Sequence, residues 1–395
     1  MVLRVRFVVH TAQRSGAPMG ALRLVRWLVD TGRARPSVVL REGGPLASSF
    51  ASLAPTAVIH DVGRARVRTA ERGLASLGLN RGAAFVTRTR VSRAVAHLPP
   101  ADVVYLNGVG AASSVASLRP AGPVVTHVHE LALAMDTCST PAERARLVDV
   151  TDRFLAVSEG VAAVLRDDWG VAAERIEVVP APIDRPPPTG GEADRRSQRR
   201  SLGLPPDRPL LLASGIPYWL KGPDLFVQVA ARALRLGAGA TFCWVGGLPS
   251  DWTRDVLSRD ARLVGFEDRI RFVAEVPDLS PWLQAATMAL VTSREEAFPL
   301  FAVEAAAHGV PVLTFAVGGT PELVERGCGA VVPYLDVEAM ARRICELLED
   351  PAAVSRLGAR GRQLAPEFTV EQVGPRALEA LERATGSAPD HSTRR

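Results

Sequence analysis

The sequence predicts an α/β protein made of two doubly wound domains, each a parallel sheet covered by helices on both faces. Three observations carry this. Short runs of Val, Ile and Leu recur through both halves and alternate with helix-period segments. The runs lack the polar–apolar alternation of half-solvated strands, which suits parallel strands buried on both faces. A stretch rich in Pro, Gly and charge, 184–209, separates the two series. The 395 residues exceed one ordinary core and match two domains of roughly 150–200 residues each.

In the first half, "RVRFVVH" (4–10) reads as a strand and "GALRLVRWLVDTG" (20–32) as an amphipathic helix ending at Gly32. Strands follow at 37–40, 57–60, 102–107, 123–129, 153–158 and 176–180. The Pro- and Arg-rich connection, with a short helix over its arginines, is the expected linker. Further strands are expected at 209–215, 240–246, 269–275, 288–293, 311–315 and 329–333, with helices at about 222–237, 299–308 and 336–349. A last helix covers 370–385, and the polar tail suits disorder. The predicted division is 1–185, a linker 186–207, a second domain 208–367, a helix 368–386 crossing back to the first domain, and a tail 387–395. Two such domains place a cleft between the carboxyl ends of their strands, so strand-to-helix turns are the candidate ligand loops.

Composition narrows the function classes. The four cysteines are far apart and form no C-x-x-C, so neither a disulfide framework nor a zinc site is indicated, and a cytoplasmic setting is expected. No apolar run approaches the roughly 18 residues of a membrane span. The net charge of +5 is uneven: residues 62–97 hold eight arginines, at 64, 66, 68, 72, 81, 88, 90 and 93, against one acid, Glu71. This cluster suits a peripheral contact with an anionic partner such as a membrane face, and equally a solvated helical face. Only Phe85 interleaves with it, which disfavours a nucleic-acid groove. Nucleic acid is not an expected partner.

The richest turn is "TSREEAFPLFAVEAAAHGVPVLTF" (292–315). A strand ends at Ser293, Glu295 and Glu296 occupy the turn, and a helix starts near Pro299, where the missing N–H would be unpaired anyway. The free N–H groups and positive dipole of that helix end are a natural seat for phosphate. Glu296 outside it and Glu304 inside it suit hydroxyls on either side of a diphosphate. An ordinary helix-start acid and a solvent residue account for the same spacing. Lys221, in "GIPYWLKGPDLF" (215–226), is the sole lysine among 47 basic residues. Codon bias explains one leftover lysine; a need for a compact ammonium explains its place. Gly16, in "RSGAP", permits close backbone approach at another strand-to-helix turn. His129 ends the strand "PVVTHVH", two residues after His127, and suits either a cleft-facing polar role or a satisfied structural histidine. Asn107 and Gly108 end the preceding strand on the expected acceptor side.

The segment "EEAFPLFAVEAAAHGVPV" resembles the signature of the retaining GT-B glycosyltransferases (glycosyltransferase family 4, "glycosyl transferases group 1"), a glutamate, seven residues, then a second glutamate. Glu296, Phe298, Leu300, Glu304, Ala305, Gly309, Pro311 and Val312 fall in register. "GGTPELVERGCGAVVPYLD" (318–336), "SGIPYWLKGPDLFVQVA" (214–230), "RSGAPMGALRLVRWL" (14–28), "PVVTHVHEL" (123–131) and "AVSEGVAAVL" (156–165) continue the likeness over roughly 3–385.

The resemblance implies the GT-B fold, two Rossmann-like domains, and sugar transfer from a UDP- or GDP-linked donor. The donor is a substrate, so no cofactor is expected. Glu296 would contact donor sugar hydroxyls and Glu304 the ribose, while the backbone around Phe298, Pro299 and Leu300 holds the diphosphate. The base would be read near the strand at 271–276. Lys221, in the turn opened by Gly215, would neutralise the departing diphosphate. Gly16 and Ala17 form the N-terminal glycine loop, and the match favours His129 over His127 for positioning the transferred group. A front-face mechanism is implied. The arginine-rich, lysine-poor composition suggests a GC-rich bacterium, with natural-product or surface-glycan biosynthesis as setting. No D-x-D occurs, and the adjacent pair Asp167–Asp168 falls at a helix end, so metal independence is expected. One departure stands out: Ile216 follows Gly215, where many members carry an arginine. It motivates a non-catalytic sugar-nucleotide-binding alternative, beside a phosphorylase or epimerase on the same fold.

Overall fold

The computed structural model describes residues 2–60, 91–111, 122–186, 190–247 and 251–386. The chain forms two compact units, one of residues up to Pro182 together with the segment from Val370 onward, the other Ile183–Thr369.

The first unit holds a seven-stranded parallel sheet in the order β3-β2-β1-β4-β5-β6-β7. Its strands are β1 (Leu3–Val9), β2 (Ala34–Glu42), β3 (Thr56–His60), β4 (Val103–Asn107), β5 (Val124–Val128), β6 (Arg153–Ala156) and β7 (Ile176–Val178). The order reverses beside β1, which pairs β2 on one side and β4 on the other. Both faces are covered: every residue of β4 and β5 is buried. Phe7, Tyr105, Trp27 and Phe50 meet Val373, Leu378 and Leu381 of the Val370–Gly386 helix in one core. That helix lies so close that a Cβ on Gly374 would sit 2.7 Å from the Trp27 ring.

The second unit holds a six-stranded parallel sheet, β10-β9-β8-β11-β12-β13. Its strands are β8 (Leu210–Ser214), β9 (Thr241–Val245), β10 (Ile270–Val273), β11 (Met288–Val291), β12 (Val312–Phe315) and β13 (Gly329–Val332). Here the order reverses between β8 and β11. Phe226 packs edge-on against Phe242, Trp244 and Phe272, and Met340 and Ile344 close the core.

Three expectations need correction. The first helix begins at Gly16, not Gly20, because Pro18 falls in the first turn, where a missing N–H breaks no bond. The segment 186–207 is not a free linker. Its Glu192–Ser201 helix belongs to the second unit, where buried Arg199 donates to Ala285 O and Thr287 Oγ1, each at 2.9 Å. The unit boundaries fall at 182/183 and 369/370, because Ile183 N donates to Phe368 O at 2.9 Å and bridges Thr369. Arginines 64–90 and the tail 387–395 lie outside the described residues; Arg93 is exposed. No helix among the described residues is long and apolar enough to cross a membrane.

Candidate active site

In open α/β sheets ligands gather at the carboxyl ends of strands flanking the reversal of strand order. In the second unit those strands are β8 and β11. Beyond β8, Gly215 has φ +139° and its carbonyl accepts Trp244 Nε1–H at 2.9 Å. A short turn, Trp219–Lys221, then meets Gly222, whose left-handed backbone (φ 63°) starts the Pro223–Arg235 helix. A Cβ on Gly222 would stand 2.1 Å from Thr292 O, so glycine is required on both counts. Thr292 Oγ1 donates to Gly222 O at 3.0 Å, fastening the lysine turn to the end of β11.

This fastening brings Lys221 to Glu296, 75 residues apart, with Nζ–Oε2 at 2.5 Å. Ser293 Oγ donates to the same Oε2 at 3.0 Å, and Gly319 N–H donates to Glu296 O. Burial disfavours the Lys221 ammonium, but Glu296, Tyr218 and Glu295 more than offset it, and its pKa is held above the ordinary lysine value. The group is therefore a fixed cation. Four residues past Glu296 the Leu300–Ala307 helix begins, with Pro299 as its N-cap. Pro299 offers no N–H; Leu300 and Phe301, with no intrahelical partner, present theirs. The Phe298 ring packs against Phe368 with centroids 5.6 Å apart. Glu304 lies half-buried in the helix's second turn.

Arg294, on the turn after β11, lies against the lysine turn, and it is occupied. It makes two hydrogen bonds to Asp224, at 2.9 and 2.7 Å, and donates to Trp219 O. It staples the turn and does not stand in for the arginine absent at 216.

In the first unit the reversal falls between β1 and β4, and the candidate residues lie at and beside it. Gly16 and Ala17 open the Gly16–Asp30 helix, so their N–H groups lack intrahelical partners. Asn107 ends β4, and His129 follows β5. His129 Nε2–H donates to Asn107 Oδ1 at 3.0 Å, while Asn107 Nδ2 is buried without a partner. Glu130 accepts from the N–H groups of His129 (2.9 Å) and Val109 (3.1 Å), and lies where a Cβ on Gly108 would clash. Burial, then repulsion from His127 and His10, holds the His129 pKa well below the ordinary value, so the ring is neutral.

His127 is structural. Its Nε2–H donates to Val179 O at 2.7 Å and its Nδ1 accepts the Tyr105 hydroxyl at 2.5 Å. Burial pulls its pKa down to about 4, against the carbonyl bond. Asp167 pairs with neighbouring Arg166 on the exposed side of the short helical segment Val164–Asp168. Sequence reasoning missed Ser293, Thr292 and the Arg294–Asp224 staple. The one available signal was the polar run Thr292, Ser293, Arg294 closing an apolar strand.

A family model described as Glycosyltransferase Family 4 matches residues 14–185, and one described as Glycosyl transferases group 1 matches 208–350. D-inositol 3-phosphate glycosyltransferase 1 of Catenulispora acidiphila is 33% identical over 285 residues, 66% of this chain and 67% of the relative. The chain belongs to glycosyltransferase family 4. A D-inositol 3-phosphate glycosyltransferase of Thermobifida fusca is also 33% identical, over 67% of this chain and 64% of the relative. The aligned segments thus span about two thirds of these family members. Among solved structures, Anabaena HepE in complex with UDP and glucose superposes with a TM-score of 0.78 at 20% identity, over 96% of this chain and 100% of that one. Sucrose-phosphate synthase from Thermosynechococcus elongatus gives 0.75 at 20% identity, over 98% and 100%. The fold is GT-B.

Proposed function

We propose that this family 4 protein transfers a sugar from a UDP- or GDP-linked donor to an acceptor hydroxyl, with retention of configuration and without a metal ion. The observation that carries the reading is the Lys221 ammonium held against Glu296, four residues before a helix N-terminus. A nucleotide diphosphate leaving as an anion meets a fixed cation and free N–H groups there, which supplies charge stabilisation without a metal. Glu296 and Glu304 accept hydrogen bonds from donor sugar and ribose hydroxyls. In the first unit, neutral His129, its tautomer set by Asn107, offers a polar edge to a ligand at the carboxyl end of β5.

The bond from the anomeric carbon to the β-phosphate oxygen breaks, and the acceptor oxygen bonds the same face. The acceptor proton passes to the departing phosphate oxygen, so no strong protein base is needed. The relatives' names support a phosphorylated polyol, D-inositol 3-phosphate, as the first acceptor to try. Natural-product or surface-glycan assembly is the setting we favour.

A second reading, a catalytically altered sugar-nucleotide binder, is favoured by Ile216 together with the engagement of Arg294. Calorimetric titration with UDP and GDP, and their glucose and mannose derivatives, tests both. One nucleotide should bind in the micromolar range, and K221A should weaken it by roughly tenfold or more, the worth of a charge-assisted hydrogen bond. No binding by the wild type sinks both readings. Binding without transfer or donor hydrolysis, in buffer or in EDTA, leaves the second.

A further inference from the structure

Four exposed large hydrophobic side chains, Tyr218 (44%), Trp219 (61%), Tyr334 (50%) and Leu335 (38%), lie on the two loops that meet at Arg294. Arg294 Cζ sits 4.7 Å from the Trp219 ring centroid, and Tyr334 OH donates to Arg294 O at 3.1 Å. The guanidinium is itself locked by its two bonds to Asp224. One face of the indole is therefore backed by a fixed cation while the ring stays open to water. An exposed tryptophan held rigid has already lost the freedom that a binding event would otherwise remove. On the loop that reaches Arg294 through Tyr334, Leu335 is the only non-glycine with positive φ (59°) among the described residues. A branched aliphatic residue in a backbone shape suited to glycine points to a role for its exposed side chain.

We propose that Trp219, joined through Arg294 to the loop of Tyr334 and Leu335, is a stacking platform for a pyranose or cyclitol ring of the acceptor. The inference rests on the glycosyltransferase reading and names an acceptor subsite for it. Trp219 lies two residues from Lys221, and Arg294 two residues from Glu296. Trp219 follows β8 while Arg294 and Tyr334 follow β11 and β13, so the platform spans the reversal of strand order between β8 and β11, two strands from β10, whose end is the expected base site. A saccharide ring presents an apolar C–H face edged by hydroxyls. It matches an exposed indole backed by the Arg294–Asp224 pair better than a purely apolar chain does.

The test is saturation-transfer NMR on the full chain with UDP present, using myo-inositol, D-inositol 3-phosphate and methyl α-D-glucopyranoside as probes. At least one should bind in the millimolar range, with saturation concentrated on one C–H face. W219A should weaken it roughly tenfold. W252A, on the exposed Asp251–Leu263 helix, should change nothing. UDP affinity should be the same in W219A and wild type. The proposal is overturned if no probe binds, if W219A and wild type respond alike, or if W219A weakens UDP as much as the probes, which would make the indole a base platform. UDP and GDP affinities of the wild type are measured first, and the nucleotide that binds is the one used. Binding of neither strikes the functional reading, while a Trp219-dependent response without nucleotide still decides the platform.

Discussion

The Lys221–Glu296 pair invites a double-mutant cycle. Glu296 is 7% exposed, and its Oε2 is held by the Lys221 ammonium and the Ser293 hydroxyl. K221M keeps the aliphatic stem and removes the charge, leaving a buried carboxylate with one neutral donor. Breaking a fully buried pair this way costs about 3–5 kcal/mol. The Lys221 side chain is 25% exposed and Ser293 remains, so about 2–3 kcal/mol is expected. Replacing the carboxylate as well removes the uncompensated charge. K221M/E296Q should then recover about 1–2 kcal/mol relative to the sum of the single variants. Two units make a single unfolding transition unsafe, so the readout is hydrogen exchange of peptides covering β11 and the Leu300–Ala307 helix, beside urea midpoints. If K221M protects those peptides as wild type does, or the double variant merely adds the single losses, the pair is a surface contact and the buried-charge argument fails.

The buried histidine gives a pH prediction. Because burial pulls His127 to about 4, below its unfolded value of 6.5, its share of stability is full above about pH 6.5 and is lost as pH falls toward 4. That share is about 3 kcal/mol, so the first unit's urea midpoint should drop between pH 7 and 4.5, and H127Q should flatten the slope; equal slopes refute it. G222A places a Cβ 2.1 Å from Thr292 O in a left-handed backbone. It should unfasten the lysine turn and weaken UDP as K221A does, and wild-type affinity in G222A would show that the turn is not what positions Lys221.

The strands were legible because buried parallel strands are written as continuous Val, Ile and Leu runs bounded by Gly and Pro. Each expected strand is present, shortened or extended by a few residues where its neighbour stops pairing. Gly16–Met19 was misjudged because Pro18 looks like a breaker until the first-turn exemption is applied. The 186–207 segment misled through composition: an arginine-rich helix reads as solvated, yet Arg199 is buried on backbone carbonyls and a threonine hydroxyl that only the fold assembles. The candidate site was legible one strand end at a time. Its pairings were not, since Lys221 with Glu296 and Arg294 with Asp224 join residues 75 and 70 apart through the adjacency of β8 and β11.

That adjacency also bears on the missing arginine at 216. A guanidinium does lie nearby, and charge alone would let Arg294 substitute. Its fork, however, is spent on Asp224 and Trp219 O, a geometry that fixes direction as well as charge. Freeing it would expose the Asp224 carboxylate and release the indole. On the proposed function, the charge of a departing diphosphate would therefore fall on Lys221 and the Leu300–Ala307 helix end. A compact ammonium suits that place: it can pair with Glu296 in the resting state and turn one of its three N–H groups to phosphate without breaking that pair.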